Sequence, residues 1–234
     1  MIMLELNKLH LMDCMEGMKT FPDNYFDVCI TDPPYNVKFQ YNSYNDNLEY
    51  IEYKNWCLSW LVELQRITSG LISISCGTKN IGMWYEIQKP IWMSAWHKPA
   101  AMGGSPLGIC NWEPLLIYGK PQKKSTDVIT APIISSNEMD FHPCPKPIKW
   151  AEAQLSYYGI GGKLIDPFMG SGTTAIAAMK YNYDWIGFEI DEDYHKAASE
   201  RIEIHKKRPK PFFTDVELAD KNIKQKGFFD DNKP

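Results

Sequence analysis

The sequence predicts an α/β fold in which a mostly parallel sheet carries helices on both faces. Short apolar runs rich in β-branched residues alternate along the whole chain with segments of helical periodicity. Two of these runs end in Asp-Pro, at Asp32 and Asp166, and proline cannot continue a sheet ladder. The length of 234 residues, with 44% hydrophobic and 23% charged residues, suits one globular domain of this kind. Regular alternation of strand and helix is typical of a parallel sheet.

The first half of the chain contains most of the predicted strands. Residue Asn47 is the candidate N-cap of a long amphipathic helix, and the Asn- and Tyr-rich segment before it reads as a loop. In chain order, strands are predicted at 9–12, 26–31, 71–76, 91–96 and 115–118, helices at 48–68 and 79–89, and loops at 36–47, 101–106 and 119–141.

The second half of the chain repeats the alternation more regularly. Asp191 or Asp193 is the candidate N-cap of the last helix. Residues 1–205 are therefore predicted to form a single domain, and the charged, proline-containing tail at 206–234 is predicted to be partly disordered. The predicted elements are a helix at 147–158, strands at 163–166 and 185–189, and helices at 173–180 and 191–205.

Charge and cysteine content restrict the cellular setting and the partners. The net charge of −4 means that binding to nucleic acid would depend on a local basic patch, because Lys and Arg neutralise phosphates. The six cysteines show no metal-ligand spacing, which favours reduced thiols in a cytoplasmic protein without a metal site. No apolar run is long enough to span a membrane, and no signal peptide is apparent.

The tetrapeptide Asp32-Pro33-Pro34-Tyr35 is the first candidate site. It places a carboxylate, a rigid backbone and an aromatic ring at the carboxyl end of a buried strand. Open α/β sheets bind their ligands at that end. A plain strand-ending turn is the alternative, since Asp-Pro is common in turns.

The second candidate site is a glycine-rich turn between a strand and a helix. Gly170-x-Gly172-x-x-Ala175 fits a nucleotide-binding fingerprint, and Glu189 ends the next strand, where a carboxylate can accept hydrogen bonds from ribose hydroxyls. A phosphate-binding P-loop is disfavoured because Thr173 stands where its lysine would be. A dinucleotide is disfavoured because only 62 residues follow Gly172. The pattern predicts a cofactor with a purine nucleoside.

Together these motifs resemble the amino-group DNA methyltransferases, in the permuted class called β, where the catalytic motif precedes the cofactor motif. Asp32-Pro33-Pro34-Tyr35 is similar to the catalytic motif, and residues 166–174 are similar to the cofactor motif DPFxGSGTT. Residues 142–147 resemble the HPTxKP element, with Cys144 in place of Thr. The resemblance implies a Rossmann-like fold with a permuted, mostly parallel seven-stranded sheet, and S-adenosylmethionine as the cofactor.

The resemblance also implies roles for single residues. Asp32 and the Pro33 carbonyl would accept the two N–H groups of the target amino group, and Pro34 and Tyr35 complete the catalytic motif. The Tyr35 ring would stack on a base rotated by about 180° out of the duplex. Lys146 would meet the methionyl carboxylate of the cofactor, and Asp13-Cys14 would meet its adenine. The complete implied cofactor set is Asp13, Cys14, Asp32, Lys146, Asp166, Pro167, Phe168, Gly170, Ser171, Gly172, Thr173 and Glu189.

The function that follows is transfer of a methyl group to the 6-amino group of adenine in double-stranded DNA. The resemblance implies adenine, because in that family serine at the first catalytic position is commoner in enzymes that act on the 4-amino group of cytosine. Methylation of cytosine, methylation of RNA and a non-catalytic, cofactor-binding subunit are the alternatives. The loops at 36–47 and 119–141 are the candidate DNA contacts, and a homodimer is compatible with this class.

Overall fold

A computed structural model describes residues 3–99, 101, 103–134 and 145–207. The sheet order within this part of the chain is β1-β10-β9-β2-β3-β7-β4-β8, and β5 and β6 form a separate hairpin. The strands are β1 (Lys8–Leu11), β2 (Phe26–Thr31), β3 (Thr68–Ser75), β4 (Trp92–His97), β5 (Gly103–Ser105), β6 (Gly108–Cys110), β7 (Trp112–Gly119), β8 (Val128–Thr130), β9 (Gly162–Asp166) and β10 (Tyr183–Glu189).

The sheet is mostly parallel, and this confirms the predicted fold class. Only β7 runs antiparallel to its neighbours in the described sheet, pairing with β3 on one side and β4 on the other. The sheet has eight strands instead of the predicted seven, because the three residues of β8 pair with the outer edge of β4 inside the predicted loop 119–141. A three-residue strand is too short to show periodicity, so its existence depends on the neighbouring edge.

Within the described ranges, six α-helices cover both faces of the sheet. They are α1 (Cys14–Met18), α2 (Tyr50–Ile67), α3 (Ile81–Ile87), α4 (Ile148–Leu155), α5 (Thr173–Lys180) and α6 (Glu192–Lys206). Buried side chains of α1, α2 and α3 form one apolar cluster with Cys29 of β2. Those of α4, α5 and α6 form a second cluster with Val28 and Ile30. Because successive strand residues point to opposite faces, the two clusters lie on opposite sides of the sheet.

Several predicted boundaries differ from the structure. The N-cap of α2 is Glu49 and not Asn47. The side chain of Asn36 exchanges two hydrogen bonds with the backbone of Leu48, at 2.7 and 2.8 Å, and so fixes the chain entering the helix. The predicted loop 101–106 contains β5, the first strand of the hairpin. Asp191 caps α6 by accepting hydrogen bonds from the backbone of residues 193 and 194.

The chain topology creates a crevice between β2 and β9. These strands are neighbours, but the chain continues from β2 to β3 on one side and from β9 to β10 on the other. Ligands of open α/β sheets bind outside the carboxyl ends of strands at such a switch point. None of the helices described above is long and apolar enough to cross a membrane. Residues 208–234, most of the predicted tail, lie outside the described part of the chain.

Candidate functional site

The crevice brings the two predicted motifs together. Thr31, the last residue of β2, donates a hydrogen bond from Oγ1 to Asp166 Oδ1 on β9 at 2.7 Å. Phe168 N also donates to Asp166 Oδ1, at 3.0 Å. Burial raises the pKa of Asp166 to about 7, although these hydrogen bonds act in the opposite direction. Asp166 thus ties the end of β2 to the turn that follows β9.

The turn Asp32-Pro33-Pro34-Tyr35 is held at several atoms. Tyr35 Oη donates to Asp32 Oδ1 at 2.5 Å. Tyr53 on α2 donates from its hydroxyl to the carbonyl of Pro34 at 2.8 Å. Asn80 donates from its side-chain amide to the carbonyl of Tyr35 at 2.5 Å. These contacts fix the direction of the Asp32 carboxylate and of the Tyr35 ring before any ligand binds.

The glycine-rich turn is shaped by backbone geometry. Gly172 caps α5 with φ of 80°, a left-handed conformation that L side chains rarely adopt. A Cβ at this position would also lie 3.1 Å from Ile202 on α6. Arg201 supports the turn from behind, donating from Nη1 to the carbonyl of Ser171 at 2.7 Å. Thr173 Oγ1 donates to the carbonyl of Lys146 at 2.8 Å, which joins the turn to the segment before α4.

Glu189 faces this turn from the end of β10. Its Oε2 accepts a hydrogen bond from Gly170 N at 3.0 Å. Its Oε1 accepts from the backbone of Ile190 and Asp191, both at 2.9 Å. Burial raises the pKa of Glu189 despite these three donors. The carboxylate therefore organises the local backbone in addition to the ligand contact that the sequence predicts for it.

A first cavity of about 230 Å³ lies between the glycine-rich turn and the turn at residues 32–35. All the predicted cofactor residues except Gly172 line it, and Gly172 lies behind it against α6. Seven further aromatic and acidic residues line this cavity and are not among the cofactor residues that the sequence predicts: Tyr41, Tyr44, Trp56, Trp150, Phe188, Asp191 and Tyr194.

Asp13 and Cys14 stand at one end of the first cavity. Asp13 Oδ1 accepts from Met15 N at 2.7 Å and so caps α1. Burial raises the pKa of the Cys14 thiol to about 12, with a smaller contribution from the charge of Asp13. Cys14 is therefore a neutral, apolar wall residue.

A second cavity of about 290 Å³ lies on the other side of Asp32. It shares Asp32, Tyr41 and Lys146 with the first cavity, so these side chains form the wall between the two. The other lining residues of the second cavity are Pro33, Tyr35, Val37, Phe39, Trp96, Lys98, Glu113, Ile133, Ile134 and Pro145.

Four charged side chains form a chain of ion pairs along this wall. Lys146 Nζ lies 3.1 Å from Asp32 Oδ2 and 3.1 Å from Glu113 Oε2. Lys98 Nζ lies 2.6 Å from Glu113 Oε1. Burial alone would raise the pKa of Glu113, but the two ammonium groups outweigh it and lower this pKa to about 2. For Asp32 the balance differs, because burial exceeds the effect of Lys146 and its pKa is raised.

Neither Glu113 nor Lys98 is among the site residues that the sequence predicts. β7 runs antiparallel to β4, with Glu113 opposite Trp96 in the register. The start of β7 is thereby placed at the same sheet edge as the ends of the parallel strands. The available signal was a glutamate just before an apolar segment predicted to be a strand. The sequence does not show whether that strand runs parallel or antiparallel to its neighbours.

The loop 36–47 crosses both cavities. Asp46 accepts hydrogen bonds from the backbone N–H groups of residues 36, 37 and 39, at 2.7, 2.9 and 2.9 Å. Ser43 donates from its hydroxyl to Asp191 Oδ2 at 2.6 Å, which fastens the loop across the first cavity. Contact between DNA and this loop, or the loop 119–141, remains a prediction. His142 and Cys144 of the HPTxKP-like element lie outside the described residues.

Comparison with known proteins gives the family. The profile of an N6/N4 DNA methylase family matches residues 26–200. The Type II methyltransferase M.HpaI of Haemophilus parainfluenzae is 28% identical, over 82% of this chain and 72% of that protein. The PvuII DNA methyltransferase, described as cytosine-N4-specific, superimposes with a TM-score of 0.68 at 17% identity, covering 92% of this chain and 91% of that one. An M1.HpyAVI–SAM complex gives a TM-score of 0.65 at 20% identity, covering 83% and 98%. The chain therefore belongs to the DNA methylase family.

Proposed function

We propose that this protein transfers a methyl group from S-adenosylmethionine to the 6-amino group of adenine in DNA. The observation that carries this proposal is the position of Asp32 in the wall between two cavities. Transfer of a methyl group to an amino group needs the methyl donor on one side and the amino group on the other. A hydrogen-bond acceptor for the N–H groups belongs at the point where the two meet. Family membership supplies the DNA substrate.

The first cavity fits this cofactor chemically. S-adenosylmethionine, when bound, supplies an electrophilic methyl group on a positively charged sulfur. The carboxylates of Asp13, Glu189 and Asp191 suit a ligand with a cationic sulfur, an ammonium group and ribose hydroxyls. The rings of Trp56 and Phe168 offer apolar faces to a flat purine. The solved relative in complex with SAM supports the same choice.

The second cavity fits a base that has left the duplex. Asp32 would accept one N–H of the amino group, and the Pro33 carbonyl would accept the other. These two acceptors favour a pyramidal nitrogen with its lone pair directed at the first cavity. The Tyr35 ring, held by its hydrogen bond to Asp32, would stack on the base. The aromatic residues Phe39 and Tyr41 of the loop 36–47 line the same cavity, which supports a role for this loop beside the DNA.

Cytosine is a second candidate for the target base. Aspartate at position 32 favours adenine by resemblance, whereas the similar fold of the cytosine-N4-specific PvuII enzyme supports the 4-amino group of cytosine. Both amino groups would present the same pair of N–H donors to Asp32 and Pro33.

Nucleoside mass spectrometry tests the proposal directly. Unmethylated duplex DNA is incubated with the protein and S-adenosylmethionine and then digested to nucleosides. A methyl group on the 6-amino group of adenine is the expected product. Product on the 4-amino group of cytosine would correct the base and keep the mechanism. Bound cofactor without any methylated DNA base would contradict the proposal, and an RNA substrate would then be tested in the same way.

A further inference from the structure

Lys146, for which the sequence predicts a contact with the cofactor carboxylate, lines both the first and the second cavity. Its Nζ pairs with Asp32 Oδ2 and Glu113 Oε2, both at 3.1 Å, and only 12% of its side chain is exposed. The ammonium also lies over the Tyr35 ring, 5.4 Å from the centroid, and over the Trp96 ring, at 5.2 Å. Lys146 is thus a buried cation directly beside the group that must receive the target base.

The Lys146 ammonium has Glu113 as a second carboxylate partner besides Asp32. Glu113 binds Lys146 through Oε2 and Lys98 through Oε1. The backbone of Lys146 is fixed as well, since its carbonyl accepts the hydroxyl of Thr173 on α5. The Lys146 ammonium is therefore shared between two carboxylates, and the backbone of the same residue is fixed by Thr173.

A cation at this place matters because the role of Asp32 depends on its charge. A carboxylate accepts hydrogen bonds through both oxygens, whereas a protonated carboxyl group carries a donor. The target amino group has N–H donors to offer, so only the ionised form can receive it fully. Burial favours the protonated form, and an adjacent cation favours the ionised form.

We propose that Lys146 is a positioning residue for methyl transfer, whose ammonium keeps Asp32 a hydrogen-bond acceptor for the target amino group. Glu113 and Lys98 lie next to this pair without adding a net charge, because their two charges cancel. This inference rests on the proposed function and assigns Lys146 a role in turnover.

The charged and titratable groups around Asp32 come from six segments of the described chain. Among them, Lys146 and Lys98 are the cationic groups, and Lys146 makes the direct contact. The groups are Lys146 before α4, Glu113 on β7, Lys98 after β4, Tyr35 in the same turn, Asp166 at the end of β9 and Cys76 after β3.

The test compares Lys146→Met with Lys146→Arg. The pH dependence of kcat is measured with saturating DNA and cofactor, where it reports groups in the complex. Without the cation, the acid limb of the profile should move up by about 1 to 3 pH units. Below the shifted limb, kcat should fall by about tenfold per unit. Lys146→Arg should keep the wild-type limb, and Lys54→Met, which removes an ammonium from a peripheral ion pair with Glu86, is the matched control.

The variant Glu113→Gln should move the acid limb of the kcat profile in the opposite direction. The negative charge of Glu113 raises the pKa of Asp32, so its removal should move the acid limb to lower pH. The same change leaves Lys146 with Asp32 as its remaining carboxylate partner among the contacts described above. The target amino group then meets a more strongly held acceptor, and KM for DNA should rise a few fold. A limb that moves to higher pH in Glu113→Gln would contradict the inference, even if Lys146→Met does not fold.

A second measurement separates this inference from the proposed function. The carboxyl carbon of Asp32 is followed by carbon-13 NMR in labelled protein, with Asp32→Asn used for the assignment. The pKa of Asp32 obtained from this titration should be higher in Lys146→Met than in wild type, whether or not the wild-type protein methylates DNA. If wild type is inactive on DNA, the proposed function fails, and the NMR titration still decides the role of Lys146. An unchanged titration overturns the inference; so does weaker cofactor binding in Lys146→Met with an unmoved acid limb, which would assign Lys146 to the cofactor carboxylate.

Discussion

The two cavities on either side of Asp32 are built from different kinds of contact. In the first cavity, carboxylates are held by backbone N–H groups, as when Glu189 accepts from Gly170, Ile190 and Asp191. In the second cavity, charged side chains hold one another, as in the pairs of Lys146 with Asp32 and Glu113. The first arrangement is made by two short loops, and the second needs residues from distant parts of the chain.

This difference predicts different consequences of mutation. Contacts between a carboxylate and its local backbone shape a binding surface, so their loss should weaken cofactor binding. The ion pairs of the second cavity surround Asp32, the proposed acceptor for the target amino group, so their loss should act on turnover. The following predictions test that separation, starting with the largest expected effect.

Asp32→Ala should reduce kcat by at least about a thousandfold, because it removes the acceptor for the target amino group. Cofactor affinity should change little, since Glu189 and the glycine-rich turn remain. Methylation assays and calorimetric titration of S-adenosylmethionine measure the two quantities. Asp184→Ala, at an exposed position on β10, is the control. Substantial product formation by Asp32→Ala would remove Asp32 from its proposed role.

Asp166→Asn should change how stability depends on pH. The pKa of Asp166 is about 7 in the folded protein, above its unfolded value of 3.8, so its contribution to stability is full at low pH and declines as pH rises toward 7. Between pH 5 and pH 8, wild type should therefore lose about 3 kcal/mol of unfolding free energy relative to Asp166→Asn. Urea denaturation at the two pH values measures this difference. Parallel pH dependence of the two proteins would contradict the raised pKa.

Glu189→Ala should weaken cofactor binding by about 10- to 150-fold, which corresponds to the loss of a charged hydrogen bond of about 1.5 to 3 kcal/mol. Turnover at saturating cofactor should fall much less than in Asp32→Ala. Glu189→Gln keeps the shape and an acceptor oxygen, and should be intermediate. Titration of cofactor into each variant provides the measurement. Unchanged affinity in Glu189→Ala would refute both its ligand contact and its control of the glycine-rich turn.

Ser43→Ala should have the smallest effect. It removes the hydrogen bond to Asp191 that fastens the loop 36–47 over the first cavity, worth about 1 kcal/mol. The dissociation rate of the cofactor, measured by stopped-flow fluorescence, should rise a few fold. Ser59→Ala, on the exposed side of α2, is the matched control. An unchanged dissociation rate would show that this contact does not hold the loop closed.

The α/β class and the positions of both motifs could be predicted from the sequence because each depends on local patterns. An apolar run followed by Asp-Pro-Pro-Tyr ends a strand wherever that strand lies. A glycine such as Gly172 is typical of a tight turn between a strand and a helix, and the structure gives it a left-handed φ of 80°. The short strand β8 could not be predicted, because three residues become a strand only through pairing with β4.

The sequence by itself determined the glycine-rich turn of the first cavity and the position of Glu189, since a turn, its glycines and the next strand end are close along the chain. Only the tertiary structure decided the second cavity. The antiparallel insertion of β7 between β3 and β4 brings Glu113 to the edge where β2 ends, 81 residues after Asp32 in the chain. Lys146 joins it from a third segment, before α4. Coulomb interactions depend on separation in space, and no sequence periodicity carries that distance.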